Sequence, residues 1–317
     1  MLLALFSMLA GLVALLWSAD RFVGAAAATA HRAGMSPMLI GMTLVALGTS
    51  APEIVVSVMA SLDNSPGLAV GNALGSNIAN IGLVLGITAL VAPIPIRFSI
   101  VRRELPLLLG ATGLAGYTLA NEHLGLSDAL LLLALLTFSL WWLIQADSLD
   151  EAGGGDIPDM TLNAALLWTV ASLGILVLGS RALVWGAIEI ATRFGVSELV
   201  IGLTIVAIGT SLPELAACIA SAMKNHHDIA IGNVIGSNLF NMLVVMPIPG
   251  LLAPGTTDAA AANRDFPVML ALTLALGAIL LWQRHNSLGR LPGAALAVTY
   301  FVYLGVLIHT GTPLMPS

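Results

Sequence analysis

Acidic and basic residues are so sparse along this chain that the gaps between them read directly as structural elements. Six stretches contain no Asp, Glu, Lys or Arg: residues 1–19, 105–121, 129–146, 160–180, 266–283 and 291–310. A helix of roughly 20 apolar residues crosses a bilayer, so each stretch predicts one span. Residues 64–96 and 229–257 are equally free of charge, begin with a loop, end near prolines and carry one helix each. Two more apolar helices, over about 36–62 and 197–223, are interrupted by Glu53 and Glu214. The pattern predicts an all-α membrane protein of ten transmembrane helices. The first stretch lacks a basic leader and runs into Asp20 and Arg21 without a turn, so it is expected to be a span and not a cleaved signal.

Composition agrees: 58% of the residues are apolar and 9% charged, whereas a water-soluble domain needs about 25% charged residues. Cys218 stands alone, which excludes a disulfide framework, and no Cys/His cluster has zinc spacing. A net charge of −6 without a basic tract excludes a nucleic-acid partner. The few bases bear on orientation. Arg32, Arg97, Arg102, Arg103, Lys224, Arg284 and Arg290 fall in loops of one parity, against Arg193 and Arg264 in the other. Both termini are therefore expected outside the cytoplasm, in a plasma or inner membrane. Residues 147–159, with five acids and three consecutive glycines, read as a solvated linker between residues 1–146 and 160–317. Trp141 and Trp142 before it read as an interfacial belt.

The chain repeats itself. Residues 41–53 (GMTLVALGTSAPE) match residues 202–214 (GLTIVAIGTSLPE) at nine of thirteen positions, a shift of 161 without a gap. Residues 71–80 (GNALGSNIAN) match 232–241 (GNVIGSNLFN) at six of ten positions with the same shift. Each half then holds five spans, an odd number, so the second enters the membrane from the opposite side. Two inverted-topology five-helix repeats are expected, with broken helices meeting at a central site, the plan of secondary transporters.

The repeated residues explain what such a site offers. An acid in hydrocarbon costs roughly 2.5–3.5 kcal/mol on insertion scales, so Glu53 and Glu214 require compensation. Thr49 and Ser50 lie one turn back on the side of Glu53, and Thr210 and Ser211 repeat this for Glu214. Pro52 and Pro213 lack an N–H, which strands the carbonyls of Gly48 and Gly209 and bends or breaks the helix. Carbonyl, hydroxyl and carboxylate oxygens thus crowd one turn, the donors that hard cations such as Ca²⁺ prefer. The next helix adds Asn72, Ser76 and Asn80 on one face, repeated by Asn233, Ser237 and Asn241. Interhelical hydrogen bonding is the plainer reading of Asn72, Asn77, Asn233 and Asn238. Gly71, Gly75, Gly82, Gly232 and Gly236 are expected to let these helices approach their neighbours closely. Two facing glutamates are neutralised by one Ca²⁺, by two Na⁺ or by two protons.

At GTSAPE and GTSLPE, each followed by GN-x-x-GSN-x-x-N, the chain resembles the cation/Ca²⁺ exchanger superfamily, specifically its prokaryotic sodium/calcium exchanger branch. The resemblance runs through nearly the whole chain and includes ADRFVG at 19–24 and the segment 35–41. It implies Na⁺/Ca²⁺ antiport by alternating access, with two tilted helices sliding past an eight-helix core, no cofactor, and function as a monomer. It also implies that Glu53 and Glu214 bind Ca²⁺ with the carbonyls of Thr49 and Thr210. Sodium would use Thr49, Ser50, Ser76, Thr210, Ser211 and Ser237 with the carbonyls of Ala46 and Ala207, and Asn80 and Asn241 would complete the middle. Some members carry aspartate at one of the last two positions; asparagine at both leaves the glutamates as the only formal charge. The regulatory loop of animal exchangers is absent. Ca²⁺/H⁺ exchange and a passive cation channel are the alternatives.

An enzyme is not expected. The six histidines fall at loops or helix ends, and neither Ser50 nor Ser211 has a histidine in its segment to act as base. Asp20 and Arg181, related by the same shift, read as separate headgroup-level charges; the alternatives are that they anchor the two mobile helices at the interface or pair across the two-fold axis.

Overall fold

The computed structural model describes residues 1–146, 157–195, 205, 207–257, 259–283 and 287–311. The first half runs α1 (Leu2–Ala33), α2 (Pro37–Thr49), α3 (Ala51–Leu62), α4 (Pro66–Val91), β1 (Ile94–Pro95), α5 (Phe98–Leu119), β2 (His123–Leu124) and α6 (Leu126–Ala146). The second runs α7 (Leu162–Arg193), α8 (Ala207–Thr210), α9 (Leu212–Met223), α10 (His227–Leu252), β3 (Gly255–Thr256), α11 (Ala261–Trp282), β4 (Ser287–Leu288) and α12 (Arg290–Gly311). Among the described residues seven helices are long and apolar enough to cross a bilayer, and α2 with α3, bent by 45°, makes an eighth. Helix α5 covers the span expected at 105–121 but starts earlier, with Arg102, Arg103 and Glu104 in its first two turns. The expected span at 197–223 and the linker at 147–159 lie partly outside the described residues.

Charge does not end the first helix of either half. The apolar stretches at 1–19 and 160–180 continue to Ala33 and Arg193, 32 residues each. A helix stops where the backbone turns. Gly34 (φ 67°) takes the left-handed conformation, its N–H capping the carbonyls of Ala30 and His31, and Gly195 (φ 77°) does so 161 residues later. At about 1.5 Å per residue, α1 and α7 are each about 48 Å long and must tilt within a hydrocarbon layer of about 30 Å.

Helices α1 and α7 pack chiefly on each other through glycine: a Cβ at Gly11 would lie 2.5 Å from the Leu183 nitrogen, and one at Gly186 would lie 2.5 Å from the Ala4 carbonyl oxygen. Their outer faces, with Leu2, Phe6, Val13, Leu167 and Val170, are exposed, as lipid-facing surface should be. Helices α4 and α10 instead form the centre, where Leu74, Ile78 and Ile81 join Leu239, Met242 and Leu243 in one core. Each relaxes to a wider π-helical turn midway, at Asn80–Leu85 and Asn241–Val245, starting 161 residues apart. Two short antiparallel pairs tie the halves together. Ile94 opposes Leu288, and His123 opposes Thr256. Because β1 and β2 flank the 22-residue α5, the two pairs sit at opposite ends of the molecule.

Candidate ion-binding site

The prolines break the chain alike in both halves. Ser50 (φ −81°, ψ 2°) joins α2 to α3, and Ser211 (φ −90°, ψ 4°) joins α8 to α9. These sparsely populated angles recur at active sites. One stranded carbonyl has found a donor: Ser180 Oγ of α7 donates to the Gly209 carbonyl at 3.0 Å. A side chain at Gly48 would strike Leu173, and one at Gly209 would strike Val184, so both breaks lie directly against α7.

The breaks carry Glu53 and Glu214 inward, each 1% exposed. Ser76 Oγ donates to Glu53 Oε1 at 3.5 Å. Glu53 Oε2 and both carboxylate oxygens of Glu214 have no hydrogen-bond partner among the described residues. Thr49 Oγ1 donates to Asn233 Oδ1 (3.2 Å), lies 3.5 Å from Ser237 Oγ and 3.4 Å from the Ala46 carbonyl. Ser50 Oγ, Ser211 Oγ, Asn80 Oδ1 and both polar atoms of the Asn241 amide are likewise buried without a partner. Thr210 lines a cavity of about 470 Å³ that reaches Ser76. Ala46 is buried, and its carbonyl accepts from the Ser50 nitrogen at 2.9 Å. Ala207 begins α8, and no contact places its carbonyl with the others.

A buried acceptor without a donor costs about 1–3 kcal/mol, so partnerless carboxylate and hydroxyl oxygens call for a positive ligand. Every candidate donor is oxygen, which suits a hard cation. Among the described residues no three His, Cys, Asp or Glu side chains gather, as a tight transition-metal site would require. The described histidines stay at element ends: His31, His123, His226, His227 and His309. His285 lies outside the described residues.

Interhelical hydrogen bonding holds for the side chains of Asn72, Asn77 and Asn233 and not for Asn238, whose amide atoms are buried without a partner among the described residues. Asn72 Nδ2 donates to the Glu53 carbonyl (3.0 Å) and Ser57 Oγ (3.2 Å), and Asn77 Nδ2 to the Asn238 carbonyl (3.2 Å). The glycine expectation holds at Gly82, Gly232 and Gly236 and fails at Gly71 and Gly75. Cβ atoms at Gly232 and Gly82 would come within 2.8 Å of Met38 O and Tyr300 Cβ, and one at Gly236 would collide with Met42, but Gly71 and Gly75 have nothing within 4 Å among the described residues and line the cavity. Of the readings of Asp20 and Arg181, pairing across the two-fold axis is the one the structure does not make: Asp20 pairs with Lys224 at 2.7 Å.

Three features escaped the sequence reading. At the cavity mouth Asp265 accepts from Tyr303 Oη (2.9 Å) and Arg264 Nε (2.7 Å). Its signal was present, since Arg103-Glu104-x-Pro106 and Arg264-Asp265-x-Pro267 share the 161 shift. Cys218 replaces Ser57 at the same shift and accepts from Asn233 Nδ2 at 3.3 Å. Ser180 has Ala19 as its counterpart, so no repeat marks it.

Comparison with known proteins places this geometry in a family. The model of the family described as sodium/calcium exchanger protein matches residues 3–145 and 164–309. CaxA of Alkalimonas amylolytica is 45% identical over 313 residues, covering 96% of this chain and 98% of its own. Inner membrane protein YrbG of Escherichia coli is 42% identical over 317 residues, covering 97% of both chains. A structure of the sodium-calcium exchanger NCX_Mj soaked with zero Na⁺ and Ca²⁺ superposes with a TM-score of 0.85 at 31% identity, over 96% of this chain and 98% of that one. The chain is an integral, multi-pass membrane protein and belongs to the sodium/calcium exchanger protein family, whose members are cation transporters and not enzymes.

Proposed function

We propose that this protein is a Na⁺/Ca²⁺ antiporter of the inner membrane, driven by the sodium gradient and working as a monomer with both termini outside the cytoplasm. Its ten spans form two inverted five-helix repeats, residues 1–146 and 160–317, joined by 147–159. The observation that carries the reading is the pair of buried glutamates with partnerless oxygens, set at equivalent helix breaks. Glu53 and Glu214 hold Ca²⁺ with the carbonyls of Thr49 and Thr210. Na⁺ is held by Thr49, Ser50, Ser76, Thr210, Ser211 and Ser237 with the carbonyls of Ala46 and Ala207, and Asn80 and Asn241 line the middle. Loading with either ion offsets the two negative charges and lets the site change faces, while the empty site is hindered by its own charge. The hydroxyl oxygens favour sodium over protons as the counter-ion, since protonating the carboxylates would need none of them.

Reconstituted vesicles test this. Vesicles loaded with Na⁺ should take up external Ca²⁺, and collapsing the sodium gradient should stop the uptake. Uptake that follows a pH gradient instead makes the protein a Ca²⁺/H⁺ exchanger, and uptake indifferent to both makes it a channel.

A further inference from the structure

The 161 shift relates four charges, of which the structure has one pair made and one open. Asp20 on α1 pairs with Lys224, just beyond α9, at 2.7 Å, and Lys224 also donates to the Asp20 carbonyl at 2.7 Å. The shift carries Lys224 onto Asp63, just beyond α3, and Asp20 onto Arg181 of α7. The signs are reversed, so the image pair is again attractive. Yet Arg181 and Asp63 are both exposed, and neither meets an opposite charge among the described residues. Arg181 instead lines a cavity of about 240 Å³ with Pro52 and Val56 of α3, so it already faces the helix that ends at Asp63.

The two ends of the molecule differ in the same sense. At the Lys224 end, α10 lies tight on α2, where even a Cβ at Gly232 or Gly236 would collide with backbone. At the Asp63 end the equivalent Gly71 and Gly75 line the cavity of about 470 Å³ and meet nothing within 4 Å among the described residues, which leave out 196–204. The made pair is at the closed end and the open pair at the open end.

We infer that Asp20–Lys224 and Arg181–Asp63 are alternating latches that hold the α1/α7 pair against the rest of the molecule, each formed when its own end is closed. The four residues position helices and do not touch the ion. The inference rests on the inverted-repeat reading above. It explains why the charges are reversed between halves: α1 and α7 each need a partner of opposite sign, at opposite ends, and never at once.

The test uses the whole chain with Cys218→Ser and a reporter cysteine at Ala217, which is 1% exposed and is the 161-shift image of Val56. A membrane-impermeant maleimide reaches it only when the Lys224 end opens. Lys224→Gln should speed labelling by about 1.5- to fivefold, the range of an exposed ion pair, and Asp63→Asn, at the far end, should slow it by a similar factor. The swapped Asp20→Lys/Lys224→Asp should return the rate to that of the parent. Asp63→Asn leaving labelling unchanged, or speeding it, overturns the latches; local loosening around Lys224 cannot mimic slowing from the far end. Loss of sodium-driven flux in the unmutated chain would sink the transport reading instead, whatever the labelling rates.

Discussion

At the scale of single residues, the site is a concentration of acceptors that the protein itself leaves unpaired. Two carboxylates facing each other repel, and the burial of both makes a bound cation the natural remedy. Glu53→Gln or Glu214→Gln should therefore reduce sodium-driven Ca²⁺ uptake to the level of empty vesicles, at unchanged yield of folded protein. Asn72→Ala should behave differently: it strips a donor from the Glu53 carbonyl and from Ser57, costing about 1–3 kcal/mol, so the melting temperature falls while the preference between Na⁺ and Ca²⁺ stays. Normal Ca²⁺ flux in either glutamine variant would discredit the assignment. The glutamates and their neighbouring hydroxyls were legible because polar residues repeated in an apolar background need a reason. That Asn233 would reach Thr49 was not, because hydrogen-bond partners 184 residues apart depend on how helices are stacked.

At the scale of elements, period and charge located the helices, while small residues at their ends set the true boundaries. Gly34 and Gly195 extend α1 and α7 well beyond the first charges, and no count of apolar residues contains that information. The glycines of α4 and α10 are equivalent in sequence and unequal in space, which yields a prediction. Alanine adds up to about 1 kcal/mol of helix propensity at either position. At Gly236 it also meets the Met42 backbone, which cannot rotate away, and overpacking of about 1–3 kcal/mol outweighs the gain. Gly236→Ala should lower the thermal midpoint, whereas Gly75→Ala, which meets nothing within 4 Å among the described residues, should leave it level or slightly higher. Thermal scans of the two variants side by side decide this, and equal shifts would contradict the asymmetry of the halves.

At the scale of the whole molecule, the halves are bound to each other by more than the site. Both strand pairs join one half to the other, and Arg97, ahead of α5, pairs at 3.1 Å with Asp228 at the start of α10, whose side chain is 7% exposed. Removing one partner of a fully buried pair costs roughly 3–5 kcal/mol. Arg97 is 42% exposed, so the loss in Arg97→Ala should be smaller, yet still the largest among surface arginine-to-alanine changes. Thermal unfolding compared with Arg193→Ala, whose i,i+4 pair with Glu189 is exposed, measures the difference; similar midpoints would show that the cross-half tie carries no weight.

By itself the sequence determined the bilayer as solvent, the two halves, and the oxygen-rich breaks at Glu53 and Glu214, since each follows from local chemistry: too little charge for water, proline without an N–H, and acid where acid is costly. Tertiary structure decided which of two equivalent faces stands open, which ion pair is closed, and which asparagine reaches across. A repeated sequence encodes both arrangements equally, and only the packing of one half against the other breaks that tie.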